Sequence, residues 1–281
     1  MARAHVEFIQ TQVLEWQPWP YQKSLMYKQL SVDEKSKATT GIFKYPVGWH
    51  ESQAYYLASE EEFFVLEGDI EVNGIHYREG YYGYFPSGYL RRKVRCHKHA
   101  IVLRFIDQSP RVHHYHFGDA LPTTDKPSIE GLNTYDMVWD KGVLDEKLLH
   151  LDFGRKILRI DPITKAKTFL YMVSPQTRPN DWRGPREKHP TVEESFTLYG
   201  TLAGDRGVMR TGSYFWRPPG IEHGPYGSRT GCVLLIRFVG GAHVNRWSKQ
   251  LYPFDFDAPY QPILPEHLQA LGANEWKPEP F

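Results

Sequence analysis

The sequence predicts an all-β protein made of two copies of one module, and three observations carry that expectation. The first is an internal repeat: EEFFVLEG at 61–68 returns as EESFTLYG at 193–200, and REGYYGYFPSGYLRR at 78–92 returns as RTGSYFWRPPGIEHG at 210–224. Glu61 and Glu193, Glu62 and Glu194, Gly68 and Gly200, Gly80 and Gly212, Pro86 and Pro218, and Gly88 and Gly220 all share one offset of 132 residues, which marks a duplicated structural unit. The second is a period-two alternation of apolar and polar residues over short segments, the pattern of half-buried strands. The third is a glycine or proline about every eight to twelve residues, the turn spacing of a sandwich or small barrel.

The repeat divides the chain into an N-terminal module over 1–118, a linker over 119–150 and a C-terminal module with its tail over 151–281. In the first copy, 61–68 reads as a strand closed by Gly68. Gly80 and the Pro86-x-Gly88 turn then place sharp reversals, and IVLRFI at 101–106 is a late strand. VHHYHF at 112–117 reads as a linker strand with exposed imidazoles, among them His114 and His116. DEKLLHL at 145–151 fits either a short helix or a strand. In the second copy the same elements recur, and LLIRFV at 234–239 aligns with IVLRFI at an offset of 133, as though the connecting loop had gained one residue. That alignment pairs Arg104 with Arg237 and directs one into each barrel. ILPEHLQALGA at 263–273 is a short C-terminal helix, with Pro265 near its start and Gly272 near its end.

Composition narrows the function classes. With 34 basic and 33 acidic side chains, the chain has no broad positive field for nucleic acid or an anionic membrane surface. No stretch approaches about 18 uninterrupted apolar residues, so no membrane-spanning helix is expected. Two cysteines, Cys96 and Cys232, do not make a disulfide framework; both are expected to be buried thiols. The start lacks the apolar run of a signal peptide. A cytoplasmic protein follows, with a small molecule as its expected partner and a homodimer left open.

The segment around Gly212, SYFWR, Pro218-Pro-Gly220, IE and His223 has the spacing Gly, five residues, Pro-x-Gly, two residues, His. In that spacing, and in the run from His189 through Glu193 and Glu194 to Gly200, both copies resemble cupin modules. The doubled glutamate and the PPGIEHGP block are most similar to the ChrR-like group, which includes zinc-binding anti-sigma-factor domains and dioxygenases of aromatic hydroxyketones. The resemblance covers roughly 35–110 and 155–245. It implies two tandem double-stranded β-helix (jelly-roll-like) barrels, each with a potential metal site in its mouth.

Carried over residue by residue, the resemblance places metal ligands at Glu187, His189, Glu194 and His223, with glutamate where the family's first histidine usually stands. Positions 187 and 189 lie two apart and face one side of an extended strand. Two imidazoles with carboxylates suit Fe(II) or Mn(II), with Zn(II) or Ni(II) as alternatives. A carboxylate not committed to the ion, Glu187 or Glu193, is a candidate general base. Trp182, Arg183 and Tyr226 are candidate substrate-binding residues at the mouth. Arg237 either holds a substrate carboxylate or pairs with a structural acid. In the first copy the equivalents are Tyr55, Leu57, Glu62 and Arg91; leucine cannot ligate a metal, and Arg91 is expected to neutralise Glu62 in a barrel that has lost its site, or to bind an anion together with Arg92 or Lys93. The expected function is a metal-dependent enzyme acting through the C-terminal barrel on a small carbonyl-containing or phenolic metabolite, with dioxygenase chemistry favoured. A lyase, decarboxylase, isomerase or hydrolase and a non-catalytic sensor are the alternatives.

Overall fold

The computed structural model describes residues 3–142, 145–271 and 281. Those residues form antiparallel strands joined by turns, with helical structure confined to short 3-10 segments, as the alternation predicts. The two copies form two compact units. One comprises Leu14–Met137 with Arg3 and Phe281; the other comprises Ala4–Val13 and the described residues from Val138 to Leu271. This differs from the boundaries expected at 118 and 151: residues 4–13 leave the first module, and the segment that looked like a linker is divided between the units.

In the second unit the strand path runs Val6–Gln10, Ser213–Arg217, Val192–Gly204, Cys232–Val239, Lys167–Val173, Phe153–Ile160, with Gly207–Arg210 hairpinned onto Val192–Gly204. Arg183–Lys188 and Arg246–Pro253 form a separate ribbon. Aromatic and aliphatic side chains such as Phe169, Phe215, Leu234 and Phe238 fill the space inside. The first unit repeats the plan: Ile129–Asn133, Tyr81–Phe85, Glu61–Val72, Ala100–Ile106, Thr39–Tyr45 and Met26–Val32 lie in the same relative order. Ile129–Asn133 takes the edge place on Tyr81–Phe85 that Val6–Gln10 takes on Ser213–Arg217.

Register explains why glycine recurs at 68 and 200. Gly68 lies opposite Ala100 and Gly200 opposite Cys232, and both have φ near +80° or +75°. A Cβ at Gly68 would sit 1.9 Å from the His99 carbonyl oxygen, and one at Gly200 would sit 2.0 Å from that of Gly231; only glycine fits either constraint. Beyond this point Val102 pairs with Val65 and Leu234 with Thr197, so the offset is still 132. The expected insertion is absent, and Arg104 and Arg237 are not equivalent. One residue of register reverses the face of a strand residue: Arg104 points inward beside Glu61, whereas Arg237 points to the opposite face beside Glu194.

The linker segment 145–151 resolves into a 3-10 turn, Glu146–Leu151, whose start is capped by the Asp145 side chain accepting from the Lys147 amide. The C-terminal helix is likewise a 3-10 turn, Glu266–Leu271; Gly272 lies outside the described residues. His114 and His116 are exposed, and Cys96 and Cys232 are buried free thiols.

Candidate metal centre

Glu187 and His189 come from the end of Arg183–Lys188 and the turn after it, and His223 follows the Pro218-Pro-Gly220 turn. The Glu187 and His223 backbones exchange two hydrogen bonds, of 3.0 and 2.9 Å, which lock the two segments side by side. One donor atom from each of Glu187, His189 and His223 lies within 4.8 Å of the others. Glu193 joins them: its Oε2 is 3.3 Å from His223 Nε2 and 3.7 Å from His189 Nε2.

Of the four residues expected as ligands, the structure brings Glu187, His189 and His223 together, and Glu193, not Glu194, lies beside them. Adjacent strand residues face opposite sides. Glu193 lies opposite Arg217 and Phe238 on the inner face, while Glu194 lies opposite Trp216 and Arg237 on the outer one. The fully buried Glu194 accepts from the Tyr214 hydroxyl at 2.7 Å and from Arg237 at 2.6 Å. Arg237 thus serves a structural acid and does not reach the cavity. Trp182 packs under Arg178 and against Phe254, and the exposed Arg183 bonds the Leu251 carbonyl; neither lines the cavity. Tyr226 does.

The histidines' protonation follows from their surroundings. His189 Nδ1 is 3.1 Å from the Val244 carbonyl and His223 Nδ1 is 3.0 Å from that of Ile221, so in each ring Nδ1 carries the proton and Nε2 keeps its lone pair. Both Nε2 atoms are buried without a hydrogen-bond partner among the described residues. The His223 imidazole is held well below its ordinary range by burial, then by the charges of Arg217 and His189. A neutral acceptor nitrogen 3.3 Å from a carboxylate oxygen is unfavourable unless a cation or proton lies between them. Glu187 shows the same tension: burial first, and then the charge of Glu193, push its carboxyl up to about 8 despite Arg217. Two orphaned imidazole nitrogens and a glutamate fit one divalent ion, and this donor set is that of a facial triad.

Three side chains were not foreseen from the sequence. Arg217 bonds Glu193 at 2.9 Å and Glu7 through two contacts of 2.6 and 2.9 Å, and its guanidinium lies 3.7 Å from the Phe215 ring centre. It stands where the first copy has Phe85, so the repeat does signal it. Glu7 gives no such signal, being 210 residues from its partner. His243 stacks on Phe238 at 3.9 Å and bonds Asn245 at 2.7 Å; burial pushes it down to about 3, with His189 adding to the effect.

The cluster opens onto a cavity of about 60 Å³ walled by Leu202, Met209, Phe215, Leu234, Ile236 and Phe238, with Leu148 and Leu151 of the 3-10 turn at one side. Since a water needs only about 10–15 Å³ on this scale, a compact ligand fits. Tyr226 lines the wall with a hydroxyl that has no partner among the described residues.

The sequence matches the ChrR cupin-like domain over residues 4–110 and 146–240. No curated protein matches it. Among solved structures the chain is similar to a candidate dioxygenase from Nostoc punctiforme, at 15% identity and a TM-score of 0.74 over 90% of this chain and 92% of that one. It is also similar to a candidate glyoxylate-induced protein from Pseudomonas aeruginosa, at 13% identity and a TM-score of 0.59 over 89% and 94%. A variant of oxalate decarboxylase from Bacillus subtilis follows at 13% identity and 0.53 over 85% and 78%; another structure of that enzyme describes its Mn(II) centres. At such identities these likenesses show a shared fold of paired barrels. The match of both halves of the sequence goes further: this chain belongs to the ChrR cupin-like family.

Proposed function

We propose that the protein is a metal-dependent enzyme whose C-terminal barrel acts on a small carbonyl-containing or phenolic metabolite by oxygenase chemistry. The observation that carries the reading is the pair of buried Nε2 lone pairs converging with Glu187 and Glu193 at the edge of an apolar cavity. His189, His223 and Glu187 would hold the ion, which supplies Lewis acidity and, as Fe(II), a site where substrate and dioxygen meet. Fe(II) and Mn(II) suit the donors best. The carbonyls of Val244 and Ile221 keep both imidazoles in the ligating tautomer. Arg217, anchored by Glu7, restrains Glu193 beside the cluster. The Tyr226 hydroxyl is placed to donate to a substrate oxygen, and the apolar wall excludes water from the reacting atoms. The name of the Nostoc structure supports the oxygenase reading.

A second reading has its own support. Glu193, beside the cluster but outside the triad, suits proton transfer in a decarboxylase or lyase, and the name of the Bacillus subtilis structure supports that chemistry. Metal analysis of the purified protein is the first test: wild type carries a divalent ion, and His223→Ala loses it. A metal-free wild type ends both readings. With metal present, oxygen uptake in the presence of phenolic ketones supports oxygenase chemistry, whereas turnover without oxygen moves the assignment to a lyase.

A further inference from the structure

The first barrel keeps a buried cavity of about 30 Å³ at the place equivalent to the metal cluster. Arg91 stands where His223 does: its backbone exchanges hydrogen bonds of 2.8 and 3.0 Å with Tyr55, as His223 does with Glu187. Leu57 in place of His189 removes metal binding. What replaces the ligands is a charge-imbalanced triad. Arg91 bonds one oxygen of Glu61 at 2.5 Å, and Arg104 bonds the other at 2.6 Å. Glu61, and not Glu62 as expected, is the partner; Glu62 faces away and accepts from the Tyr82 hydroxyl.

The cavity lining contains two arginines and one glutamate, so it holds one uncompensated positive charge. All three side chains are about 95% buried. An unbalanced buried charge is costly. The rings beneath the guanidiniums, Phe85 at 4.9 Å from Arg91 and Phe43 at 4.5 Å from Arg104, attract a cation but do not neutralise it. The terminal nitrogens of Arg104 and the hydroxyls of the cavity-lining Tyr45 and Tyr55 have no hydrogen-bond acceptor among the described residues. Facing them are Phe63, Val72 and Val102.

We infer that the N-terminal barrel is a receptor for a compact monocarboxylate. The single surplus charge matches a monoanion, the planar guanidinium donors match a carboxylate rather than a spherical halide, and the apolar wall accepts a short carbon chain. Arg104 and Arg91 would hold the carboxylate, with Tyr45 and Tyr55 donating from the side.

Calorimetric titration of the full chain with acetate at fixed ionic strength tests this, beside three variants. Arg91→Leu leaves Glu61 paired with Arg104 and the cavity neutral. Tyr55→Phe keeps the ring and removes a donor, so it carries the test if Arg91→Leu does not fold. His223→Ala disables only the second barrel. Acetate binds wild type and His223→Ala alike, Arg91→Leu about tenfold or more weakly, and Tyr55→Phe less weakly than that. Absence of acetate binding in wild type, equal binding in Arg91→Leu, unchanged binding in Tyr55→Phe, loss in His223→Ala, or chloride binding as tight as acetate overturns the assignment.

Discussion

Glu193 and Glu194 are neighbours in the chain on opposite faces of one strand, one beside the candidate metal cluster and one in a buried ion pair with Arg237. Glu194→Gln therefore takes the charge from a buried carboxylate that accepts from Arg237 at 2.6 Å and destabilises the fold by about 3–5 kcal/mol, the usual result of breaking a buried pair. Metal content per folded chain should stay unchanged in that variant, while Glu193→Gln lowers it; denaturant unfolding and metal analysis of the same samples check both. The reverse pattern would restore Glu194 as the ligand. The doubled glutamate hid this choice in the sequence, because both copies carry both residues and strand phase is set by pairing partners far along the chain. Glu61 adds a pH dependence. Burial alone would raise its carboxyl, but Arg104 and Arg91 more than reverse this, so it titrates below its ordinary value of 4.5. A lowered folded-state value gives stability that is fully present above the unfolded value and is lost as pH falls through the folded one. Wild type should thus lose stability below about pH 4.5 more steeply than Glu61→Gln, as urea midpoints measured from pH 6 down to 3 can show; parallel curves would contradict it.

At the scale of the strand, register decides function. IVLRFI and LLIRFV look most alike when shifted by one residue, and that similarity misplaces Arg237 on the cavity side. Pairing across the sheet keeps the offset at 132 because each copy passes the same glycine, opposite Ala100 in one and Cys232 in the other. The existence of these strands was legible from alternation and turn residues; their phase was not, since β-branched and aliphatic residues suit either face of a strand buried on both sides. The glycine itself makes a prediction. Gly200→Ala must bring a Cβ to 2.0 Å from the Gly231 carbonyl oxygen at a φ of +75°, whereas Gly220, at +84°, has nothing within 4 Å of its Cβ position. Gly220→Ala carries only backbone strain, about 1–3 kcal/mol. Gly200→Ala should cost clearly more and shift the central strand, measured as unfolding free energy and as amide exchange across residues 192–204. Equal costs would show that the close approach relaxes freely.

At the scale of the whole chain, the duplication was readable from six identities at one spacing, but the partition of the chain was not. Strand Val6–Gln10 lies more than a hundred residues before the second repeat begins, yet it pairs with Ser213–Arg217 in the second unit. Nothing local marks it as belonging there; its assignment comes from an edge that only the folded sheet presents. It also carries chemistry. Val6 lies opposite Trp216 and Ile9 opposite Tyr214, so two residues, Glu7 and Phe8, stand against Phe215 alone. This bulge, with Phe8 at a φ of +55°, directs Phe8 into the core and Glu7 onto Arg217. Glu7→Gln removes the charge that holds Arg217 and leaves Glu193 as its one charged carboxylate contact among the described residues. Arg217 then draws harder on Glu193, so the variant should lose about 3–5 kcal/mol of stability and bind metal more weakly. Hydrogen exchange localises the effect: protection falls in residues 192–217 of the second unit, while residues 61–85, the equivalent stretch of the first, serve as the internal reference. A loss of protection confined to 61–85, or none in 192–217, would show that the first strand of the chain does not sustain the second barrel.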